Sequence, residues 1–429
     1  MNGKKNIVIV GGGFAGTAAI SGLDTRLPDG YQLVVISEES YTTFSPMLPE
    51  AVGASIFPEQ VVAPIRELLD PRRGARFIMG RVTATDLQAR TVTCGTLSGP
   101  LTIDYDQLVL ACGNRARLDL LPGAAEHALP LKTVGDAMHI RNTVLRRLAR
   151  MELETERALI WQLGHFVVIG GGFSGVEVAG ELVDCLASVA HFYPRAERAA
   201  IRVTLIQDAE RLLLELPPSL GAAACASLVR RGVDVRFGLR AQYITEHGVG
   251  FEQQFVAAAT VISTIGTRAN PLIERLGIAL ERGRLPVAAD LSVAGAAGVW
   301  AIGDCAQVPN SGTGTAAPPT AQFAVREGAL LARNLLASLR QQPTRPFNYR
   351  ARGMMAAIGH MKGVAEIYGV PLAGLPAWLA WRAYYLSQMP TLRRKLRVFV
   401  EWTWGMFFAV DITHLRFTRS AEHTDEAHH

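Results

Sequence analysis

The first apolar run of the chain, Ile7-Val8-Ile9-Val10, stops at Gly11-Gly12-Gly13 and gives way to the small residues Thr17-Ala18-Ala19-Ile20. A short β-branched run closed by glycine predicts a strand buried on both faces, and the small residues behind it predict a helix packed closely on that strand. The pattern recurs at Phe166-Val167-Val168-Ile169, which runs into Gly170-Gly171-Gly172 and then a helix-compatible stretch over 176–186. Apolar runs over 32–36, 105–113, 203–206, 232–236, 254–265 and 299–306 predict further strands, and 76–92 alternates like strands and turns. Charged, helix-periodic sequence fills 136–159, and Pro318-Pro319-Thr320 introduces a helix over 321–328. Two prolines make 41–50 a rigid loop rather than a helix or a central strand. Buried strands alternating with helices predict an α/β chain built on parallel sheets.

The glycines carry the first chemistry. Gly11, Gly13 and Gly16 form Gly-x-Gly-x-x-Gly between a strand and a helix, and Gly170, Gly172 and Gly175 repeat it. In each copy the first glycine permits the tight turn, the second lets backbone approach a pyrophosphate, and the third lets helix and strand pack closely. The helix N-terminus offers free N–H groups and positive dipole to phosphate. Glu38 lies 22 residues past Gly16, where a ribose-binding acid belongs. The second acid-bearing strand ends at Gln207-Asp208, delayed by what reads as an insertion over 190–198. Gly80-Arg81-Val82 reads as an edge against an adenine, and Ala111-Cys112-Gly113 ends a strand on small residues that let backbone lie close to a cofactor. Gly303-Asp304 ends another strand ahead of the helix at Ala321-Gln322, where an acid can hold a polyol chain. Two fingerprints imply two dinucleotides in one chain, with chemistry passing between them.

A length of 429 residues requires two or three domains, and a 49% hydrophobic content can bury sizeable cores. No run of 18 apolar residues predicts a transmembrane helix, and the start reads as a strand rather than a secretory signal. Cys94, Cys112, Cys185, Cys225 and Cys305 show no metal-ligand or Cys-x-x-Cys spacing, so reduced thiols and no metal are expected. A net charge of +5 is too mild to imply nucleic acid.

The C-terminal part changes texture. Trp378, Trp381, Trp402 and Trp404 accompany Leu and Tyr residues, Pro390 and the basic run Arg393-Arg394-Lys395-Leu396-Arg397. Aromatic and aliphatic residues beside a basic cluster, in helices too short to span, fit an interfacial anchor; the other reading is a buried helical pair capping the core. Residues 420–429, with His428 and His429, read as a polar tail.

On the paired Gly-Gly-Gly-Phe-(Ala/Ser)-Gly motifs, Thr43-Phe44-Ser45-Pro46-Met47-Leu48-Pro49, Gly172-Phe173-Ser174-Gly175-Val176-Glu177, Ile302-Gly303-Asp304-Cys305-Ala306 and Thr320-Ala321-Gln322, the chain resembles the flavoproteins with two dinucleotide-binding domains. Within them it is similar to the type II NADH dehydrogenases, single-subunit NADH:quinone oxidoreductases, over nearly everything from Lys5 to about Phe417.

The resemblance implies two Rossmann-like domains, an FAD domain interrupted by an NAD(P)H domain, and a C-terminal amphipathic helical region that binds membrane. The boundaries expected are 1–118 and 285–345 for FAD, 119–284 for NAD(P)H, 346–419 for membrane anchoring and quinone access, and 420–429 for the tail. Gly11, Gly13, Phe14, Ala15, Gly16, Ser37, Glu38, Pro46, Val82, Ala111, Gly113, Gly303, Asp304, Ala321 and Gln322 would then serve FAD. Gly170, Gly172, Phe173, Ser174, Gly175, Glu177, Gln207, Asp208 and Gly266 would serve NADH or NADPH. Glu177, Gln322 and Glu327 are the candidates for supplying protons to a quinone. The implied setting is the cytoplasmic side of the inner membrane, peripherally bound, and a homodimer is compatible with it.

Departures from the family pattern shape the expectations. Ser37 stands where many members place an acid, Gln207 replaces the usual acid of the second fingerprint, and Arg326 replaces a second Gln one turn past Gln322. Loss of the acid at Gln207 admits NADPH, with Arg211 the nearest cation for its phosphate, although NADH is favoured. Disulfide reductases need a cysteine pair near the flavin, and sulfide:quinone oxidoreductases need cysteines in both halves; neither pattern is present. A flavin-bound redox sensor or interaction protein with slow turnover, or a related FAD oxidoreductase with another acceptor, stays open.

Overall fold

Continuous β-branched runs find cover on both sides only inside parallel sheets, and both fingerprint strands lie near the centre of one. The computed structural model describes residues 4–389, 392–408 and 413–415. The chain forms two units, the first from Met1–Ser45, Val61–Arg117 and Gly266–Met354 and the second from Pro46–Gln60, Leu118–Ile265 and Met355–His429.

The first unit holds a seven-stranded sheet in the order Val299–Ala301, Gln107–Leu110, Lys5–Val10, Tyr31–Ser37, Arg76–Asp86, Thr91–Thr96, Gly99–Asp104. Its first five strands are parallel, with Val8 opposite both Val34 and Leu108, and the last two extend it as an antiparallel meander. The helices Phe14–Leu23 and Ala321–Leu339 pack against each other. Their approach depends on Gly328, where an added Cβ would stand 2.3 Å from the carbonyl oxygen of Ala15.

The second unit holds a five-stranded parallel sheet, Ala128–Pro130, Thr260–Ser263, His165–Ile169, Arg202–Ile206, Val233–Arg236, and a three-stranded antiparallel sheet over Tyr243–Thr245, Gly248–Gly250 and Phe255–Ala257. The strands Gly353–Ala357, Gly363–Ile367 and Val370–Ala373 form another sheet, and the helices Leu375–Gln388 and Leu392–Trp404 follow. Among the described residues no helix is long and apolar enough to cross a membrane.

Several boundaries differ from expectation. The chain re-enters the first unit at Gly266 rather than at 285, because Thr267–Ala269 pairs with Asn114–Ala116 there. Segment 346–354 stays with the first unit, since Tyr349 is tied to Asn310 and Gln322. The stretch expected to be a rigid loop contains the strand Tyr41–Thr43, a single 3₁₀ turn at Ser45–Met47 and the helix Leu48–Val52. Pro49 sits in the first turn of that helix, where its missing N–H costs nothing, and the helix is buried in the second unit. Pro390, Phe417 and the tail over 420–429 lie outside the described residues.

Candidate functional site

The first fingerprint has the backbone its glycines predict. Gly11 adopts φ +111°, and a Cβ there would meet the Ala111 carbonyl oxygen at 2.2 Å; a Cβ on Gly16 would meet the Gly11 oxygen at 2.0 Å. A Cβ on Gly13 would meet nothing within 4 Å, so the loop presents bare backbone to open space at the N-terminus of the helix beginning with Phe14-Ala15. Ser37 lies behind Gly12, its Oγ 3.1 Å from where a Cβ would be. Glu38, the next residue, accepts from Arg81 at 3.0 Å and from Arg115. Sequence reasoning missed Arg115, which sits on the short strand Asn114–Ala116.

Gly303 is brought to this loop, since a Cβ on it would stand 2.9 Å from Ala15 Cβ, and it adopts φ +72°. Its N–H donates to Glu327 Oε2 at 2.7 Å, so Glu327 braces the Gly303-Asp304 turn from the buried face of its helix. Burial pushes its carboxyl up to about 7, against that hydrogen bond. Asp304 is half-buried beside it. Half-buried Val82 marks a β-bulge in the strand Arg76–Asp86, and Gly113 adopts φ +63° with open space before it. Gln322, in the first turn of the helix Ala321–Leu339, accepts from the Tyr349 hydroxyl at 3.2 Å. Arg326 donates to the Gln322 carbonyl at 3.3 Å and lies 5.0 Å from the Tyr349 ring centroid. All five cysteines are free thiols; Cys112 is pushed well above the ordinary thiol range by its hydrogen bond to Cys305 and by burial. Pro46 is placed in the second unit and Gly266 in the first, opposite to expectation.

The second fingerprint repeats the first. Gly170 adopts φ +112°, a Cβ on Gly175 would stand 1.8 Å from the Gly170 oxygen, and one on Gly172 would meet nothing within 4 Å. Phe173 and Ser174 start the helix Phe173–Val189, with Ser174 exposed. The Gln207 amide is not directed at a ligand, because its Oε1 accepts from the Gly171 N–H at 2.8 Å and the side chain is buried. Asp208 is the exposed acid at this strand end. The Arg211 guanidinium is spent on its own loop, donating to the carbonyls of Leu213, Leu214 and Leu216.

The same helix carries a feature that the glycine motif does not require. Glu177 Oε1 accepts from the Ala357 N–H at 3.2 Å, Glu181 Oε2 is hydrogen-bonded to Ser55 Oγ, and Asp184 accepts from Arg231 at 2.8 Å and from the His360 N–H at 2.7 Å. Close by, Glu50 accepts from Trp402 Nε1 at 3.0 Å and lies 3.7 Å from the Arg382 guanidinium. Arg382 stacks 3.6 Å from the Trp378 ring centroid and donates to the Trp402 carbonyl at 2.9 Å. Glu50, Glu177 and Glu181 are all buried. The signal for this cluster is present in the sequence: acids at i, i+4 and i+7 mark one stripe of an otherwise apolar helix.

The tryptophans correct the expectation for the C-terminal region. Trp378 and Trp381 are 1% exposed and Trp402 is 3% exposed, so they are core, whereas Trp404 is 61% exposed. From residue 392 onward the outward apolar residues, among those described, are Leu392, Leu396, Phe399, Val400, Trp404, Phe407 and Phe408, and Val370, Leu375 and Leu379 are exposed before them.

Comparison with known proteins identifies a family for the chain. The family described as pyridine nucleotide-disulphide oxidoreductase matches residues 5–328, and that described as the NDH2 C-terminal domain matches 352–411. Demethylphylloquinone reductase of Synechocystis is 30% identical over 93% of this chain and 96% of its own length. A type II NADH:quinone oxidoreductase of Mycobacterium tuberculosis is 29% identical over 95% of this chain and 88% of its own. The fold matches that of NDH2 from Plasmodium falciparum, solved in complex with NADH, with a TM-score of 0.88 at 18% identity, covering 96% of this chain and all (100%) of that one.

Proposed function

We propose that this chain, which belongs to the pyridine nucleotide-disulphide oxidoreductase family and within it to the type II NADH:quinone oxidoreductases, uses its two fingerprints in series: the first holds FAD, the second admits NADH, and a membrane quinone is the acceptor, without proton pumping. The observation that carries the reading is the pair of open glycine loops, each with bare backbone at a helix N-terminus, in a chain that continues into the NDH2 C-terminal domain. Bound FAD would take hydride from NADH and pass two electrons to the quinone.

This chain's residues fit both groups. The loop from Gly11 to Gly16 has room for a pyrophosphate that any side chain at Gly13 would crowd, Glu38 can accept from a ribose, and Asp304 can hold the ribityl chain. In the second unit Asp208, not Gln207, is free to accept from the NADH ribose. An acid there and an engaged Arg211 disfavour a 2′-phosphate, so NADH is the preferred donor. Gln322 marks the quinone end of the flavin, and Glu177 is the proton donor. The exposed apolar stripe from Leu392 to Phe408, flanked by Arg393 and Arg397, rests on the membrane surface at the cytoplasmic side.

The test is anaerobic. NADH should bleach a heat-releasable flavin, and added quinone should restore its colour. A well-folded protein that neither carries nor takes up flavin defeats the reading, and a flavin that bleaches but is not reoxidised by any quinone leaves a redox sensor instead.

A further inference from the structure

A dinucleotide that is consumed must find its loop ready on every turnover, whereas one that stays can order its loop once, as it is installed. Any ordering left until arrival is subtracted from affinity each time. The two glycine loops differ in that respect, and the role given to the second rests on the function proposed above. Gly171 is tied by both of its backbone polar groups: its N–H donates to Gln207 Oε1 at 2.8 Å, and its carbonyl oxygen accepts from the Leu213 N–H at 2.8 Å. The place of a Cβ on Gly171 is closed by Leu212 at 2.7 Å and by Gln207 at 3.0 Å. Gly12, the equivalent residue of the first loop, has neither bond among the described residues; Ile65 and Ser37 only pack beside it.

The tie has a direction. A trans peptide is planar, so its C=O and N–H point opposite ways. With the Gly171 oxygen held on Leu213, the N–H of Gly172 is turned away from Leu213, and Gly172 itself stands in open space, where an added Cβ would meet nothing within 4 Å. Gly172 caps the helix Phe173–Val189, and the N-terminus of a helix is where a pyrophosphate is met.

Leu213 is presented by Arg211. It is held at φ +51°, in the left-handed region, although it is a leucine and fully buried. Strain of that kind persists only where the surroundings over-determine it. Here one guanidinium does so: Nη1 donates to the carbonyls of Leu213 at 3.2 Å and Leu216 at 3.0 Å, and Nη2 to that of Leu214 at 2.7 Å. Gathering three carbonyls in so short a loop calls for the several donors of a rigid planar fork, which arginine alone offers. Asp208, Glu210 and Glu215 are near in sequence, yet among the described residues none forms an ion pair with Arg211, so its donors are kept for the carbonyls.

We infer that Arg211 and Gln207 are positioning residues that clamp Gly171 and so aim the Gly172 N–H at the pyrophosphate of NADH before the dinucleotide arrives. Gln207 acts directly on the Gly171 N–H, and Arg211 acts on the Gly171 oxygen through Leu213. Neither side chain touches NADH. All of these residues lie in the second unit.

The experiment uses the flavin-loaded protein in R211Q, Q207L and Q207E forms. The rate of anaerobic flavin bleaching against NADH concentration separates affinity from the hydride step, and hydrogen exchange at the amides of Gly171 and Leu213 reads the clamp with no nucleotide present. In R211Q the NADH dissociation constant should rise about tenfold, the worth of one charge-assisted hydrogen bond, with the limiting bleaching rate within about twofold of that of the unmodified protein. Both amides should exchange about tenfold faster, and saturating NADH should return their protection. Q207L should weaken NADH in the same way, and Q207E, whose carboxylate can still accept from the Gly171 N–H, should restore the affinity. Should R211Q not fold, Q207L decides by the same two readouts. An unchanged dissociation constant or unchanged exchange overturns the clamp, as does loss of flavin in step with loss of NADH binding, which would mark Arg211 as a residue of general stability. Failure of NADH to bleach the unmodified protein while both amides are protected leaves the clamp standing and overturns the functional reading itself.

Discussion

The two fingerprints of this chain have the same backbone and opposite surroundings. Gly11 and Gly170 differ by one degree in φ, at 111° and 112°, and Gly13 and Gly172 both cap their helices with φ near −78°. Behind the loops the likeness ends. The helix Phe14–Leu23 carries no charged residue and packs against another helix through alanine and glycine. The helix Phe173–Val189 buries Glu177 and Glu181 and must find partners for them. At the strand ends Ser37 and Gln207 occupy equivalent places, as do Glu38 and Asp208, because Gly11 and Gly170 each donate to the preceding residue, Ile36 or Ile206. A glycine motif therefore fixes the backbone of its loop, and what distinguishes the two loops is written outside it.

The contrast is broken most severely at Arg382. Arg382→Leu should cost the second unit about 3–5 kcal/mol, because Glu50 loses the guanidinium beside it in a buried site, and no substitution on the helix Phe14–Leu23 has an equivalent. Urea unfolding measures it, and a loss under about 1 kcal/mol would mean that Glu50 is neutral in the native protein. Next come the matched substitutions Gly16→Ala and Gly175→Ala, each about 1–3 kcal/mol from overpacking. Flavin retention should fail in the first alone, whereas the second should keep its flavin and lose bleaching by NADH. Loss of flavin from both would mean that the loops are not divided between two dinucleotides. The smallest effects concern Asp208 and Gln207. Asp208→Asn should lower kcat/KM for NADH roughly tenfold, the worth of about 1.5 kcal/mol for a charge-assisted hydrogen bond. Gln207→Glu should change NADH over NADPH selectivity less than about twofold, since either side chain can accept from the Gly171 N–H. The reverse order of those two results would return the ribose contact to Gln207.

What could be read from sequence was local. The strands and both turns follow from β-branched runs and glycine spacing within about a dozen residues, and there the reading and the structure agree, although each helix begins three residues earlier than read, at Phe14 and Phe173 inside the glycine motif. Partners brought from far along the chain could not be read. Trp402 looked like an interfacial residue because its neighbours are basic and aromatic, yet its indole N–H is committed to Glu50, 352 positions away. Gln207 looked like the ribose contact because it follows the strand directly, but a side chain there points back beneath the glycine loop, and the next residue faces out. By position along the chain, segment 46–60 reads with the first part, whereas Glu50 is buried against Trp402 and the Ser55 hydroxyl is bonded to Glu181, both in the second. Burial of a polar group is decided by what arrives to satisfy it, and that is tertiary information.

The interleaving of the two units has a consequence for synthesis on the ribosome. The first unit lacks its edge strand until Val299–Ala301 has been made, and Glu50 waits for Arg382 and Trp402, near the end of translation. Nascent chains otherwise fold unit by unit from the N-terminus. Here the emerging polypeptide carries acids destined for burial through most of its elongation before their counter-charge exists. A ribosome that stalls after the second fingerprint but before residue 382 thus releases a product with intact nucleotide loops and an unfinished core, a natural client for chaperones and proteases.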